Sequence, residues 1–421
     1  MRILIWGLIL VVSAMAYTKV NHINSLPQEV IQKEALALDY DMEKIYALDY
    51  LNELRVAVGL VKFSTSSLLE QSAQNHARYI IENDEPSHYE QANKVAFTGH
   101  SIGDRVKTVG YKSSFASENL STGSRDYKHS VDGLFSAIYH RFGFLDFKID
   151  EIGIGIEQNS LKKSKTAFVY NMGNSRLNRL CNGKSFHREG SYIEGACFDR
   201  DFKIKHQSFK DALSNRNHDT KIAIYPYDGQ VDVPPAFFEE TPDPLPNYEV
   251  SGFPISISFD EEQYKKLELI SFKLFDSEDR EITNTIFYDH ESDINHMFKK
   301  YEFALFPLER LAWNSKYKVK VVYFADGEKK QKEWSFTTRT FEEKLQMVTV
   351  NNYEFKVKKN ISEIFYFKPL SAHDSIGDIE YPLSVDVTII DNNTIRFTAF
   401  DDAPSSVELN FGKHKLWVDI E

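Results

Sequence analysis

The spacing of apolar residues changes once along this chain, and that change limits the fold more than any other feature. From residue 28 to about 230, several stretches place apolar side chains three or four apart, the period of a helix packed on one face. Beyond residue 250 the period falls to two, the signature of strands. Between these regimes lies DGQVDVPPAFFEETPDPLPNYEVSGFP, where six of the chain's 13 prolines fall between Pro234 and Pro254. Proline at that density favours extended, semi-rigid chain. At 421 residues the chain is too long for one ordinary core. The expectation is an α+β first domain over 28–232, a Pro-rich linker over 233–249, an all-β sandwich over 250–340 and a small β-domain over 341–421.

The helical half reads in order. In DMEKIYALDYLNELRVAVGL, Ile45, Leu48, Leu51, Leu54 and Val58 form one stripe, and Gly59 supplies a stop. A second helix is predicted over 66–82, with Leu69, Ala73, His76 and Ile80 on one face, where His76 reads as a packed histidine rather than a ligand. Residues 86–127 read as a long loop with one short helix, IGDRVKTVG, and loops of that length in a compact domain are usually functional. A third helix is expected over 130–140, so that His140 lies at or just beyond its end. EIGIGIE (151–157) and TAFVYNMG (166–173) read as strands of a central sheet. The glycines of the first do not make a dinucleotide loop, since no third glycine and no helix follow. KIAIYP (221–226) is expected to return as a strand.

In the β half, Tyr317, Val319, Val321 and Tyr323 alternate strictly, and Asp326-Gly327 supplies a hairpin turn before Trp334 and Phe336. About 90 residues of this pattern favour a β-sandwich. After it, Val385, Val387 and Ile389 alternate, a DNN turn intervenes, and Ile395, Phe397 and Ala399 alternate in return.

The first 16 residues read as a signal peptide. Arg2 is the basic region, Ile3 to Val12 the apolar run and Ala14-Met15-Ala16 the cleavage site. A membrane anchor needs about 20 apolar residues, and Thr18 and Lys19 arrive too soon. No later stretch is apolar enough to span a bilayer. The chain is therefore expected to be secreted, in the periplasm or at the cell surface. In that setting its two cysteines, Cys181 and Cys197, are most simply a disulfide. Closing such a loop contributes about 3 kcal/mol in the chain-entropy model. The formal net charge of −12 excludes a general nucleic-acid binder, which needs a basic face.

Three residues far apart in sequence are candidates for one site: His88 in SHYE, Glu118 in SENL and His140 in YHRF. Two imidazoles and a carboxylate can bind a divalent metal or relay a proton if the fold brings them together. The alternative is structural, with Glu118 accepting hydrogen bonds from the histidines and tying the long loop to the helices. His100, in TGHS, reads as an exposed loop histidine.

The run ALDYLNELRVAVGL, SAQNHARYI, SHYE, GHSIGDRVKTVGY, SENLSTG, AIYHR and IDEIGIGI resembles a bacterial member of the CAP superfamily (cysteine-rich secretory proteins, antigen 5 and pathogenesis-related 1 proteins, also called SCP-like extracellular proteins) over residues 40 to 230. The resemblance implies an α-β-α sandwich and a cavity lined by His88, Glu118 and His140. Ser117 and Tyr139 stand where the family's motifs usually carry glycine, and Arg141 is retained. Many relatives add a second acidic residue at the position of Ala137, which leaves that set incomplete here. Asp132 lies a turn or more back and does not replace it. The β-rich region is similar to bacterial immunoglobulin-like modules.

The trio offers three ligands and an open position, as in a catalytic zinc site, so a divalent metal such as zinc is one expected cofactor. No HExxH, GxSxG or nucleophilic cysteine accompanies it. The functional expectation is an exported protein binding a lipid, a peptide or a cell-wall fragment in the cell envelope. A metal-assisted hydrolase with Glu118 as its catalytic residue, and a non-catalytic scaffold, are the alternatives. The ligand, partner and oligomeric state are not legible.

Overall fold

The computed structural model describes residues 37–421, apart from 187–188, 215–220, 239, 377–380 and 412. The signal-peptide stretch 1–16 and the expected start of the first domain at residue 28 lie outside the described residues. Helix α1 (Tyr40–Ala57) begins at Asp39, whose side chain accepts from the Met42 N–H, and ends before Gly59, at φ +83°. Strand β1 (Ser64–Thr65) leads into α2 (Ser67–Asn83), and α3 (Ile102–Thr108) starts with a reciprocal capping box between Ser101 and Asp104. Strand β2 (Ala116–Thr122) follows, then α4 (Tyr127–Ser136) and α5 (Ile138–Phe144). Strands β3 (Glu151–Gln158) and β4 (Thr166–Gly173) complete a sheet of order β1-β3-β4-β2.

Strand alternation assigns the two faces of this sheet. Ile152, Ile154 and Ile156 of β3 and Phe168, Tyr170 and Met172 of β4 pack with Ala47, Leu51 and Leu54 of α1 and with Val131, Leu134 and Phe135 of α4. On the opposite face Ala167 and Val169 meet Ala73, Ala77, Ile80 and Ile81 of α2. The architecture is helix, sheet, helix, as expected. Gly153 and Gly155 occupy the α2 face, and a Cβ at either would lie 1.9 Å from Glu70 N or 2.2 Å from the Ala73 carbonyl carbon. The glycines let the α2 backbone rest directly on β3. Ile45, counted in the buried stripe, is instead half exposed.

Two local expectations change. The long loop contains β2, an edge strand antiparallel to β4 whose residues are partly polar on both faces, so no alternation marks it. The predicted third helix is two: Ala137 is extended (φ −73°, ψ 118°) and separates α4 from α5. His140 is therefore the third residue of α5, not the end of a helix. Alanine is a good helix former, so the break carries no sequence signal.

The boundary near residue 240 also differs. Strand Ile222–Tyr225 does not join the first sheet; it pairs antiparallel with Ile255–Phe259, in a sheet completed by Glu302–Pro307 and Thr285–Tyr288. Gln230–Val233 pairs with Glu328–Thr338, beside Lys316–Ala325 and Leu267–Phe275 in a second four-stranded sheet. Ala236–Phe237, inside the expected linker, pairs with Ser251–Gly252. The prolines lie in chain that is woven into the β-sandwich, and proline's missing donor is tolerated at such edges. The sandwich core of Ile257, Phe259, Phe303, Val319, Val321 and Trp334 is continuous with the core beneath α1 and α4. Residues 38–341 therefore form one compact unit. The strands expected from alternation are present, and Asp326-Gly327 closes the hairpin with both φ angles positive, as a type I′ turn requires.

The C-terminal residues 342–369 and 375–421 form a second unit. It has a four-stranded sheet (Leu345–Val348, Glu363–Phe367, Thr394–Ala399, Val385–Asp391) and a three-stranded one (Glu354–Val357, His414–Ile420, Ser406–Phe411) around its own core of Phe365, Phe367, Phe397 and Phe411. Cys181 and Cys197 form a disulfide, with a Cα–Cα distance of 5.5 Å. None of the described helices is long and apolar enough to cross a membrane.

Candidate functional site

Chain order places His88 just after α2, Glu118 in β2 and His140 in α5, and the fold brings all three to one place. The imidazoles of His88 and His140 stack with centroids 6.1 Å apart and planes 25° from parallel. Glu118 lies beneath His88: its Oε1 is 3.0 Å from His88 Nδ1, and its side chain is 1% exposed against 43% for His88. A half-exposed ring, His88, and a largely buried one, His140, at 14% exposure, thus lie beside a buried acid.

That acid is fully engaged. Arg105 of α3, itself buried, donates from Nη2 to both Glu118 oxygens at 2.8 and 2.7 Å. His76 Nε2 approaches Oε1 at 3.6 Å, and Asn171, in the amide orientation that satisfies both its ends, donates to Oε2 at 2.9 Å. Burial alone would raise the Glu118 pKa. The charge of His76, the His88 hydrogen bond and the Arg105 guanidinium prevail and hold it down at about 2. Glu118 is an anion throughout the physiological range.

A second buried carboxylate anchors the loop. Glu90, also in SHYE, receives the Thr98 N–H at 2.6 Å and faces His76 Nδ1 at 2.8 Å, while His76 Nε2 meets the Ser87 carbonyl at 2.9 Å. His76 is a packed residue, as expected, and His100 is exposed, with Nδ1 3.0 Å from the Glu90 carbonyl. Arg105 Nη1 donates to the His88 carbonyl at 3.0 Å, so the network that neutralises Glu118 also fixes the backbone beneath His88.

His140 has a different partner. Its Nδ1 is 2.6 Å from Glu240 Oε1, in the stretch read as linker, and the same oxygen accepts the N–H groups of Tyr139 and His140 at 3.0 and 3.1 Å. Ala137 offers no side-chain cap to α5, and Glu240 satisfies two of the donors a helix start leaves open. The other residues of YHRF also meet the sandwich. Tyr139 Oη donates to Asp293 at 2.6 Å, Arg141 to the Pro254 carbonyl at 2.7 Å, and the Phe142 ring meets Phe298 edge-on at 5.0 Å. Tyr139, where the resemblance expects glycine, thus serves a contact made to the sandwich. Asn119 Nδ2 reaches the His140 carbonyl at 2.7 Å from the other side. Asp132 is occupied elsewhere, with Tyr50 and Lys128, both at 2.6 Å.

The three-donor zinc set does not fit this arrangement. Glu118 Oε1 and His88 Nδ1 are in mutual contact, leaving no room for an ion between them, and a guanidinium already lies on both carboxylate oxygens. Among the described residues no group of three or more His, Cys, Asp or Glu side chains converges as a metal site. What remains available is the Nε2 edge of each ring, which has no hydrogen-bond partner among the described residues. Sequence reading missed Arg105, Glu90 and Glu240. Glu90 stood within a motif already singled out, whereas nothing in the spacing marks Glu240.

Residues 48–172 match the family model described as the Cysteine-rich secretory protein family, CAP. Among solved structures the chain is similar to an extracellular protein containing an SCP domain from Bacillus anthracis str. Ames, at 19% identity over 32% of this chain and 40% of that one, TM-score 0.27. It is also similar to an outer surface protein from Borrelia burgdorferi, at 18% identity over 32% of this chain and 95% of that one, TM-score 0.29. The chain therefore spans less than half the length of the first of these. Comparison with curated proteins gives no match. With the family match in the chain segment that carries α1 to β4, residues 48–172 are a CAP domain of the cysteine-rich secretory protein family.

Proposed function

We propose that this chain is an exported binding protein of the cell envelope, taking up a lipid, peptide or cell-wall fragment across the face formed by His88 and His140. One observation carries the reading: each ring is anchored through Nδ1 to its own buried carboxylate, while neither Nε2 has a hydrogen-bond partner among the described residues. A ring held by Nδ1–H presents Nε2 as an acceptor, and two acceptors in fixed orientation suit a ligand with hydroxyl or amide N–H donors. Of the three ligand classes, cell-wall fragments and peptides match that chemistry best. The immunoglobulin-like reading of the sandwich belongs to the same proposal, as does export through residues 1–16. Hydrolysis with Glu118 as general base has no such support, because a base should titrate near the working pH and Glu118 is held at about 2.

Calorimetric titration of the full chain with soluble muropeptides, and separately with lipid micelles, tests this. Binding to wild type that weakens tenfold or more in His88→Ala/His140→Ala is expected. Equal binding by the double variant, or none by either protein, would favour the scaffold reading.

A further inference from the structure

The sandwich is more than a spacer attached to the CAP domain. Glu240 lies three residues beyond Phe237, whose buried ring packs in one cluster with Ile138 and Phe142 of α5 and with Phe306 of the sandwich. The pairing of Ala236–Phe237 with Ser251–Gly252 fixes the chain at one end of the segment. At the other, Asn295 donates to the Asp243 carbonyl at 2.8 Å and the Tyr288 hydroxyl to the Pro244 carbonyl at 3.1 Å. The carboxylate that these contacts place is completely buried and meets His140 Nδ1 at 2.6 Å. Its Oε1 receives three donors, all from Tyr139 and His140. Within the matched segment, 48–172, Ala137 at the start of α5 offers no side-chain cap to these donors.

We infer that Glu240 is a positioning residue of the histidine face, contributed by the sandwich module, which holds His140 in its Nδ1–H tautomer and so makes Nε2 the nitrogen offered to ligand. The tautomer of an imidazole is set by the hydrogen bond its other nitrogen makes. A carboxylate is an acceptor only, so it selects Nδ1–H and leaves the lone pair on Nε2. The Tyr139 and His140 N–H groups bound to the same oxygen fix the turn of helix that carries the ring. The site is therefore bipartite: His88 is set by Glu118 from within the CAP domain, and His140 by Glu240 from outside it. The inference rests on the binding reading above only in naming Nε2 as the ligand-facing atom.

Nitrogen-15 NMR of the histidine-labelled full chain at pH 8 tests it without a ligand, with the His140 signal assigned by its loss in His140→Ala. Wild type and Glu240→Gln, whose amide oxygen can still accept, are expected to show protonated Nδ1 and bare Nε2. In Glu240→Leu the His140 population should move to the Nε2–H form that a solvated imidazole favours, with His88 unchanged. Circular dichroism confirms that the variants are folded; should Glu240→Leu fail to fold, the wild-type and Glu240→Gln tautomers decide alone. A wild-type His140 in the Nε2–H form, or a Glu240→Leu spectrum identical to wild type, overturns the inference. Either result leaves the binding titration standing, and failure of that titration leaves the tautomer assignment standing.

Discussion

The two stacked histidines are held alike, Nδ1 to carboxylate, by acids of different provenance. Glu118 is 30 residues from His88 in sequence and belongs to the same domain, and both its oxygens are satisfied by Arg105, with His88, His76 and Asn171 around it. Glu240 is 100 residues from His140, meets it across a module boundary, and has Oε2 buried without a partner among the described residues. The first half is a buried network in which Arg105 and His76 face Glu118 and Glu90, although Arg105 Nε is itself without a hydrogen-bond partner among the described residues. The second is a single oxygen doing the work of a helix cap and a tautomer lock. The stability of the site should therefore depend chiefly on the first half, and its chemistry on the second.

The sharpest way to break this contrast is Arg105→Ala, which strands Glu118 as a buried charge. Removing one partner of a buried pair costs about 3–5 kcal/mol, and urea unfolding should show a loss of that size; a loss below about 1 kcal/mol would mean that Glu118 is not held as described. Acid offers a second test. The folded Glu118 value of about 2 lies below the ordinary 4.5, so its stabilisation is complete above the unfolded value. It is lost as pH falls from about 4.5 through 2, a contribution on the order of 3 kcal/mol. Glu118→Gln should flatten that part of the stability-pH curve, and an unchanged curve would contradict the assignment.

The second half should respond more weakly. Glu240→Leu removes a charged acceptor from three donors, a loss of about 2 kcal/mol, measured as a lower urea midpoint with unchanged slope. Should it match Arg105→Ala in size, the two halves would be equivalent in stability after all. Tyr139→Phe removes only the hydroxyl that donates to Asp293, at about 1 kcal/mol. Thermal unfolding should register that small shift while the His88 nitrogen signals stay where they are.

The sequence shows the parts of the site whose partners are close in the chain or share one pattern. EIGIGIE and TAFVYNMG are legible because alternation and β propensity agree, and the Asp326-Gly327 hairpin because turn chemistry is local. His88, Glu118 and His140 are legible through the CAP resemblance, and the structure brings them together. Strand β2 escapes notice because an edge strand half buried on both sides has no period to read. Strand Ile222–Tyr225 reads correctly as a strand, but its partner, Ile255–Phe259, is a non-local choice that no window around it encodes. Glu240 is the extreme case, an acid among prolines whose role depends on α5 having no cap of its own.

The apolar core shared by the layered domain and the sandwich governs how the chain can come apart. With Leu51, Phe135 and Tyr170 in one cluster with Tyr225, Phe253 and Val319, residues 38–341 should melt in a single calorimetric step. Severing the chain at the proline stretch would expose oily surface on both fragments instead of liberating two independent modules.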